Sequence, residues 1–89
     1  MRYFTDFIEG QAVSRDDEGL DFAERQEACR SAAEALVEAA HDKLRGKPKL
    51  PPPGGTAGLH LEAWVRDETG GVVFRARLNL ELDWPAAVE

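Results

Sequence analysis

The chain has 89 residues, of which 43% are hydrophobic and 31% charged, and its net charge is −6. This length supports one domain and is too short for two independent cores. No apolar run approaches the roughly 20 residues of a membrane span, and the acidic balance argues against nucleic-acid binding through the overall field. We therefore expect no membrane segment and no nucleic-acid partner. The first residues lack the apolar core of a signal peptide, so we expect a cytoplasmic protein.

The N-terminal segment, residues 2–8, is rich in aromatic and β-favouring residues and predicts a first strand. Alternation alone leaves its facing ambiguous. We favour Tyr3 and Phe7 toward the core, because an inward Asp6 would need a buried partner. The opposite face then carries Phe4 and Ile8, partly exposed or covered by a second subunit.

A turn at residues 9–11 and a weak second strand over 12–15 are expected to follow. Asp21 has the features of a helix N-cap, with Glu24 at capping-box spacing. The acids that precede the helix are Asp16, Asp17, Glu18 and Asp21. They could attract a divalent cation weakly, but the spacing of a calcium loop is absent. A solvated turn followed by a helix cap is the simpler interpretation.

Residues 22–44 predict one long amphipathic helix, because apolar residues recur along one face at helical spacing. The predicted inward stripe consists of Phe22, Cys29, Ala33, Leu36, Val37, Ala40 and Leu44. A flanking stripe of alanines consists of Ala28, Ala32, Ala35 and Ala39, and would let the helix approach a sheet closely. Gly46 is expected to end the helix.

The next segment, residues 46–58, is a proline- and glycine-rich loop. Its proline run favours a polyproline II conformation. It is either a spacer between helix and hairpin or a ligand for a proline-recognising partner, and the spacer is favoured because no arginine-flanked P-x-x-P core is present. Residues 85–89 are expected to form a loose tail.

Residues 59–83 predict a long β-hairpin, with a dry face of alternating aliphatic residues and a wet face of polar ones. A two-residue loop keeps the dry faces of both strands together, whereas a three-residue loop would set leucines opposite arginines. We prefer a loop at Thr69-Gly70, which places Trp64 opposite Arg75. The alternative at Gly70-Gly71 would oppose two arginines.

This order of elements predicts an α+β fold in which residues 1–84 form a single domain. We expect an antiparallel sheet of three to four strands in ββαββ order, with one long helix packed on one face. That arrangement buries the apolar stripe of the helix against the dry face of the sheet.

Candidate catalytic residues are few. Cys29, the only cysteine, lies on the predicted buried face of the helix and is expected to be a small buried hydrophobe. His41 and His60 have no spacing that ties them to a nucleophile. We therefore expect no enzyme, no cofactor and no metal site.

Several motifs resemble a family of short bacterial proteins described only as a domain of unknown function. They are Arg2-Tyr3-Phe4 with Asp6 and Gly10, Asp17-Glu18-Gly19 before an alanine-rich helix, and Val65-Arg66-Asp67-Glu68 with Gly70. The resemblance covers nearly the whole chain apart from the proline-rich loop, and implies a ββαββ-type domain with no assigned catalytic residues. A looser similarity is to HicB-like antitoxins, although their Pro-Asp-x-x-Gly-Cys stretch is missing.

The wet face carries the candidate interaction surface. Tryptophan and arginine are enriched at binding hot spots, although Trp64 and Arg75 could simply stack on each other. The predicted surface consists of Trp64, Arg66, Val73, Arg75, Arg77, Phe4 and Ile8. We expect a non-enzymatic protein-interaction module that forms a homodimer. The alternative is an antitoxin-like or regulatory subunit that binds a small basic protein partner.

Overall fold

The computed structural model describes residues 1–46 and 50–85. Its elements are β1 (Arg2–Glu9), β2 (Ala12–Ser14), β3 (Leu20–Asp21), α1 (Arg25–Gly46), β4 (Thr56–Arg66) and β5 (Val72–Asp83). The strands form one antiparallel sheet with the order β2-β1-β4-β5, and β3 pairs with β1 beside β2. The predicted α+β class is confirmed. The predicted strand count and order need correction, because the sheet has five strands and the order is βββαββ.

The strand that the sequence missed is β3, which has only two residues. Leu20 pairs with Tyr3, and Asp21 pairs with Arg2, whose guanidinium lies 3.2 Å from the Asp21 carboxylate. Asp21 is therefore part of the sheet, and its prediction as the helix N-cap was wrong. The helix begins at Arg25, and the carbonyl of Glu24 accepts its first hydrogen bonds. A strand this short has no alternation from which it could be read.

The hairpin of β4 and β5 has the predicted register. Val65 lies opposite Phe74, Leu61 opposite Leu78, and Trp64 opposite Arg75. The dry face therefore meets the helix as expected from the alternation.

The predicted two-residue turn at Thr69-Gly70 was wrong. The Asp67 N–H donates to the Gly71 carbonyl and the Gly70 N–H donates to the Asp67 carbonyl, each at 3.0 Å, which closes a three-residue loop. Gly70 has φ 90°, as such a loop requires at its last position. A bulge in β5 leaves Val73 unpaired, and this extra residue restores the alternation that the loop length would have broken.

The core lies between α1 and the sheet, mainly over β4. Its buried members are Tyr3, Ala28, Ala32, Leu36, Ala40, Leu61, Ala63 and Val65. Phe7 packs against this cluster, so the predicted facing of β1 is confirmed. Small side chains on both layers bring the helix close to the sheet.

The helix is rotated from its predicted orientation. The buried positions Ala28, Ala32, Leu36 and Ala40 recur every four residues, whereas Val37 is 60% exposed and Leu44 37% exposed. The prediction that Val37 and Leu44 point inward was wrong. The alanine side approaches the sheet most closely, and this turns the larger neighbouring side chains outward.

The hairpin extends beyond β1, and the molecule measures 57 × 22 × 21 Å. Pairing of β1 with β4 ends at Glu9 and Leu61, so the first residues of β4 pair with β5 alone. At this end the Trp84 indole Nε1 donates to the carbonyl of the buried Pro51 at 2.6 Å. Of the predicted loop and tail, residues 47–49 and 86–89 lie outside the described residues.

The orientation of the helix can be tested at two adjacent positions. Leu36 is 3% exposed, and Leu36→Ala should lower the free energy of unfolding by about 2–4 kcal/mol because it leaves a cavity against the sheet. Val37→Ala should change stability by no more than about 0.5 kcal/mol. Urea unfolding followed by circular dichroism measures both values. Equal losses would contradict this orientation.

Candidate interaction surface

The face of the sheet opposite the helix collects all the residues predicted as an interaction surface except Val73. Strand pairing places Phe4 opposite Arg66, Ile8 opposite Glu62, and Trp64 between Asp6 and Arg75. Residues that are far apart in sequence thus share one face. We call this the uncovered face, and define it by Phe4, Ile8, Glu62, Trp64, Arg75 and Arg77.

Trp64 lies at the centre of the uncovered face. The Arg75 guanidinium carbon lies 4.6 Å from the centre of the Trp64 ring, so the stack foreseen from the sequence is present. The indole Nε1 donates to Glu62 Oε1 at 2.7 Å. The half-buried Trp64 ring is therefore restrained by the stacked Arg75 guanidinium and by the hydrogen bond to the Glu62 carboxylate.

Glu62 organises the polar groups around Trp64. Its Oε2 lies 2.8 Å from His60 Nε2, and its Oε1 lies 3.5 Å from Arg77 Nε. The hydrogen bonds from His60 and then Trp64 lower the pKa of Glu62, and the Arg77 charge adds to this effect. Glu62 therefore keeps its negative charge among His60, Trp64 and Arg77.

Arg66 has a different environment from Arg75 and Arg77. Its Nε and Nη2 donate to the two carboxylate oxygens of Asp6 at 2.7 and 3.0 Å, and both side chains are only about 10% exposed. The Arg66 guanidinium also lies 5.1 Å from the centre of the Phe4 ring. Arg66 is thus enclosed within the protein, and we leave it out of the uncovered face.

The turn before β3 covers this ion pair. The Asp16 N–H donates to Asp6 at 2.9 Å, and Arg66 Nη2 donates to the Asp16 carbonyl at 2.8 Å. The Asp16 carboxylate accepts the N–H groups of Thr5, Glu18 and Gly19 at distances from 2.9 to 3.1 Å. The predicted solvated acidic turn is therefore fixed to β1 through Asp16.

Gly19 allows the turn to approach β1. Its φ is 71°, and a Cβ atom there would lie 2.8 Å from both the Phe4 ring and the Tyr3 carbonyl. Sequence reasoning missed this cluster. The available signals were the charge of Asp6 on a strand of aromatic residues and the Asp-x-x-Gly spacing of the turn.

The remaining predicted surface residues are only half exposed. Phe4 lies beneath Arg66, and Ile8 is half-buried beside the exposed Val13 of β2. Val73, the extra residue of the bulge, packs against the core. The accessible part of the predicted surface is therefore Trp64 with Arg75 and Arg77, with Ile8 at its margin.

The candidate reactive residues are separate from this surface. Cys29 is half-buried, and burial raises the pKa of its thiol. Within residues 1–46 and 50–85, no three His, Cys, Asp or Glu side chains are grouped so as to hold a metal ion. In the same ranges, no helical segment combines the length and the hydrophobicity of a membrane span.

The buried ion pair makes a mutational prediction. Arg66→Ala should lower the free energy of unfolding by about 3–5 kcal/mol, because it leaves the Asp6 carboxylate buried without its partner. Arg30→Ala is the matched control, since Arg30 is exposed on the helix, and should cost no more than about 0.5 kcal/mol. Urea unfolding of both variants measures the difference. A loss at Arg66 as small as that at Arg30 would contradict a structural role.

The Asp16 turn predicts a dependence on pH. Burial would by itself raise the pKa of Asp16, but three backbone N–H groups outweigh it and hold the pKa below 3.8. The stability that this carboxylate contributes is complete above the ordinary pKa and is lost as the pH falls through the lower folded value. Asp16→Asn should therefore destabilise at neutral pH, and its difference from the wild type should shrink below about pH 4.

Unfolding measured across this pH range tests the prediction, and the exposed Asp17→Asn variant controls for the loss of one negative charge. A difference that stays constant from neutral to acid pH would contradict it.

Comparisons with known proteins identify a family without an assigned activity. Searches of curated proteins and of solved structures gave no significant match. A family model described as a domain of unknown function, DUF6894, matches residues 2–79. The matched segment contains the Asp6–Arg66 pair, the turn that covers it and most of the hairpin. The expected resemblance to an uncharacterised family is confirmed, and the chain belongs to the DUF6894 family.

Proposed function

We propose that this protein is a non-enzymatic protein-interaction module that associates with a second copy of itself through the hairpin side of its sheet. The observation that carries this proposal is the uncovered face. One helix covers one side of the sheet, while Trp64, Arg75 and Arg77 lie on the other with no element of the described chain over them. Aromatic and arginine side chains of this kind are typical of binding hot spots.

The uncovered face is also ordered in advance. Stacking on Arg75 and the hydrogen bond to Glu62 restrain Trp64, and Glu62 lies within 3.5 Å of Arg77. Side chains that are already restrained lose less entropy when a partner binds. This favours a binding role over an exposed tryptophan without function.

The environments of the reactive side chains support a non-enzymatic role. The half-buried Cys29 has a raised pKa, which disfavours the nucleophilic thiolate. His60 is paired with Glu62 on the uncovered face, away from Cys29 on the helix. The proposal includes a cytoplasmic location, and the free thiol of Cys29 agrees with a reducing compartment.

Sedimentation equilibrium tests self-association. The 9.8 kDa chain should show a mass above that of the monomer as its concentration rises into the high micromolar range. Trp64→Ala should weaken association several-fold, because it frees Arg75 from its stack. Val37→Ala, which removes an exposed apolar side chain from the helix on the opposite side, should have no effect. A monomer at every concentration would refute self-association.

A second candidate function follows from the charge of the first half of the chain. Residues 1–45 carry 11 acidic and 6 basic side chains, so most of the net charge of −6 lies there. Such a balance suits an antitoxin-like or regulatory subunit bound to a small basic protein. Stoichiometric co-purification with a small basic protein from the native host would favour this candidate. A homodimer with no such partner would count against it.

A further inference from the structure

The outer edge of β5 is an open strand edge. This strand is 12 residues long, and within the described residues β4 is its only partner. Alternate residues of an antiparallel strand turn their N–H and C=O groups to opposite edges, so about half of these groups in β5 face away from β4. A long unprotected edge is a template for pairing with another chain. The opposite edge of the sheet is shared by β2 and β3, which have three and two residues.

The charges along β5 make this edge complementary to itself. On the uncovered face the strand carries, in order, Arg75, Arg77, Asn79, Glu81 and Asp83. The two cations and the two anions stand at equal distances on either side of Asn79. If two copies pair antiparallel with Asn79 opposite Asn79, each arginine faces a carboxylate of the other copy. Arg77 then lies opposite Glu81, and Arg75 opposite Asp83.

Other registers are less complementary. Antiparallel pairing keeps like faces together only when the shift is an even number of residues. With Leu78 opposite Leu78, Arg77 faces Asn79 and loses its opposite charge. With Leu80 opposite Leu80, Asn79 faces Glu81 and Arg75 has no acid to face. Only the register centred on Asn79 pairs all four charged residues.

The same register joins the apolar residues on the helix side. It places Leu78 opposite Leu80, and Ala76 opposite Leu82, of the other copy. Leu80 and Leu82 are half-buried, but among the described residues the core cluster reaches only as far along β5 as Leu78. Pairing would therefore bring apolar side chains of a second copy against leucines that lie outside the core cluster.

We propose that a second copy of this chain adds to β5 as an antiparallel strand, with Asn79 of one copy opposite Asn79 of the other. The two sheets become one continuous sheet. Its two-fold axis passes midway between the two Asn79 residues, and both helices lie on the same side of the sheet. This inference rests on the proposed function, since it names the partner and register of the proposed self-association. In this dimer, backbone hydrogen bonds between the two β5 strands act together with the charge pairs that Arg75 and Arg77 form with the other copy.

Disulfide cross-linking tests the position of the axis. In a Cys29→Ala background, Asn79→Cys should form a covalent dimer under mild oxidation, because opposed residues of an antiparallel pair have Cα atoms about 4.5–5.5 Å apart. His60→Cys is the matched control: His60 is exposed and lies opposite Asn79, but on β4. Its two copies would be about 14 Å apart, three strand spacings, and too far to bridge.

Charge reversal tests the register by a separate measurement. Glu81 is exposed, lies opposite Gly58 within the chain and accepts a long 3.3 Å hydrogen bond from Asn79 Nδ2, so Glu81→Arg should leave the monomer folded. It places two arginines opposite each other twice in the dimer, and should raise the dimer Kd about tenfold or more. Adding Arg77→Glu restores opposite charges between the two copies and should recover part of the affinity; recovery is incomplete because the new carboxylate also lies opposite Glu62 within its own chain.

The outcomes separate this inference from the proposed function. A sedimenting dimer with efficient cross-linking at position 79 and recovery in the double variant supports both. A dimer that cross-links at position 60 as well as at 79, or that the Glu81→Arg variant leaves intact, overturns the β5 edge and leaves self-association standing. A chain that remains monomeric and does not cross-link overturns both.

Discussion

The buried ion pair between Asp6 and Arg66 is the contact on which the organisation of the sheet depends. It joins residues 60 positions apart and fixes β1 beside the end of β4. Two buried charges are favourable only when their hydrogen-bonding groups are satisfied. The Asp6 carboxylate accepts hydrogen bonds from Arg66 Nε and Nη2 and from the Asp16 N–H. Burial alone would raise the pKa of Asp6, but the Arg66 and Asp16 hydrogen bonds and the Arg66 charge hold it below the ordinary value.

This pair also determines which edge of the sheet is protected. Because Asp16 bonds to Asp6 and Arg66, the chain between β2 and β3 is held against β1, and β3 can pair with the start of that strand. The outer edge of β1 is thereby occupied along much of its length. No equivalent contact exists at β5 within the described residues, so the long edge lies at the other side of the sheet.

Much of the fold could be predicted from the sequence. The two faces of the hairpin and the presence of one covering helix follow from spacings of two and of about 3.6 residues. The hairpin register and the inward facing of Tyr3 and Phe7 needed charge arguments as well, the repulsion of opposed arginines and the cost of an inward Asp6. The errors concern the orientation of the helix and the turn of the hairpin, which depend on packing and on local backbone geometry rather than on periodicity. Periodicity cannot show that a helix turns its alanines, rather than Val37, to the sheet. Nor can it show that a bulge at Val73 compensates for a three-residue loop.

The placement of Trp64, Arg75 and Arg77 on one face was predictable, but the surroundings of Arg66 and Val73 were not. The alternation of side chains along the strands placed Trp64, Arg66 and Arg75 on one face, and the structure confirms the cross-strand pair of Trp64 and Arg75. Alternation could not reveal that Arg66 is enclosed, because its partners Asp6 and Asp16 come from the other end of the chain.

The dimensions of the elements explain why a surface remains open. A helix is about 10 Å across, whereas neighbouring strands lie about 4.8 Å apart, so one helix covers two or three strands. Close approach through alanines narrows that coverage further, and α1 is centred on β4. The outer strand therefore lies at the rim, with leucines beyond the core at its far end. Within residues 1–46 and 50–85, α1 is the only helix, and contact with another molecule would remove these leucines from water.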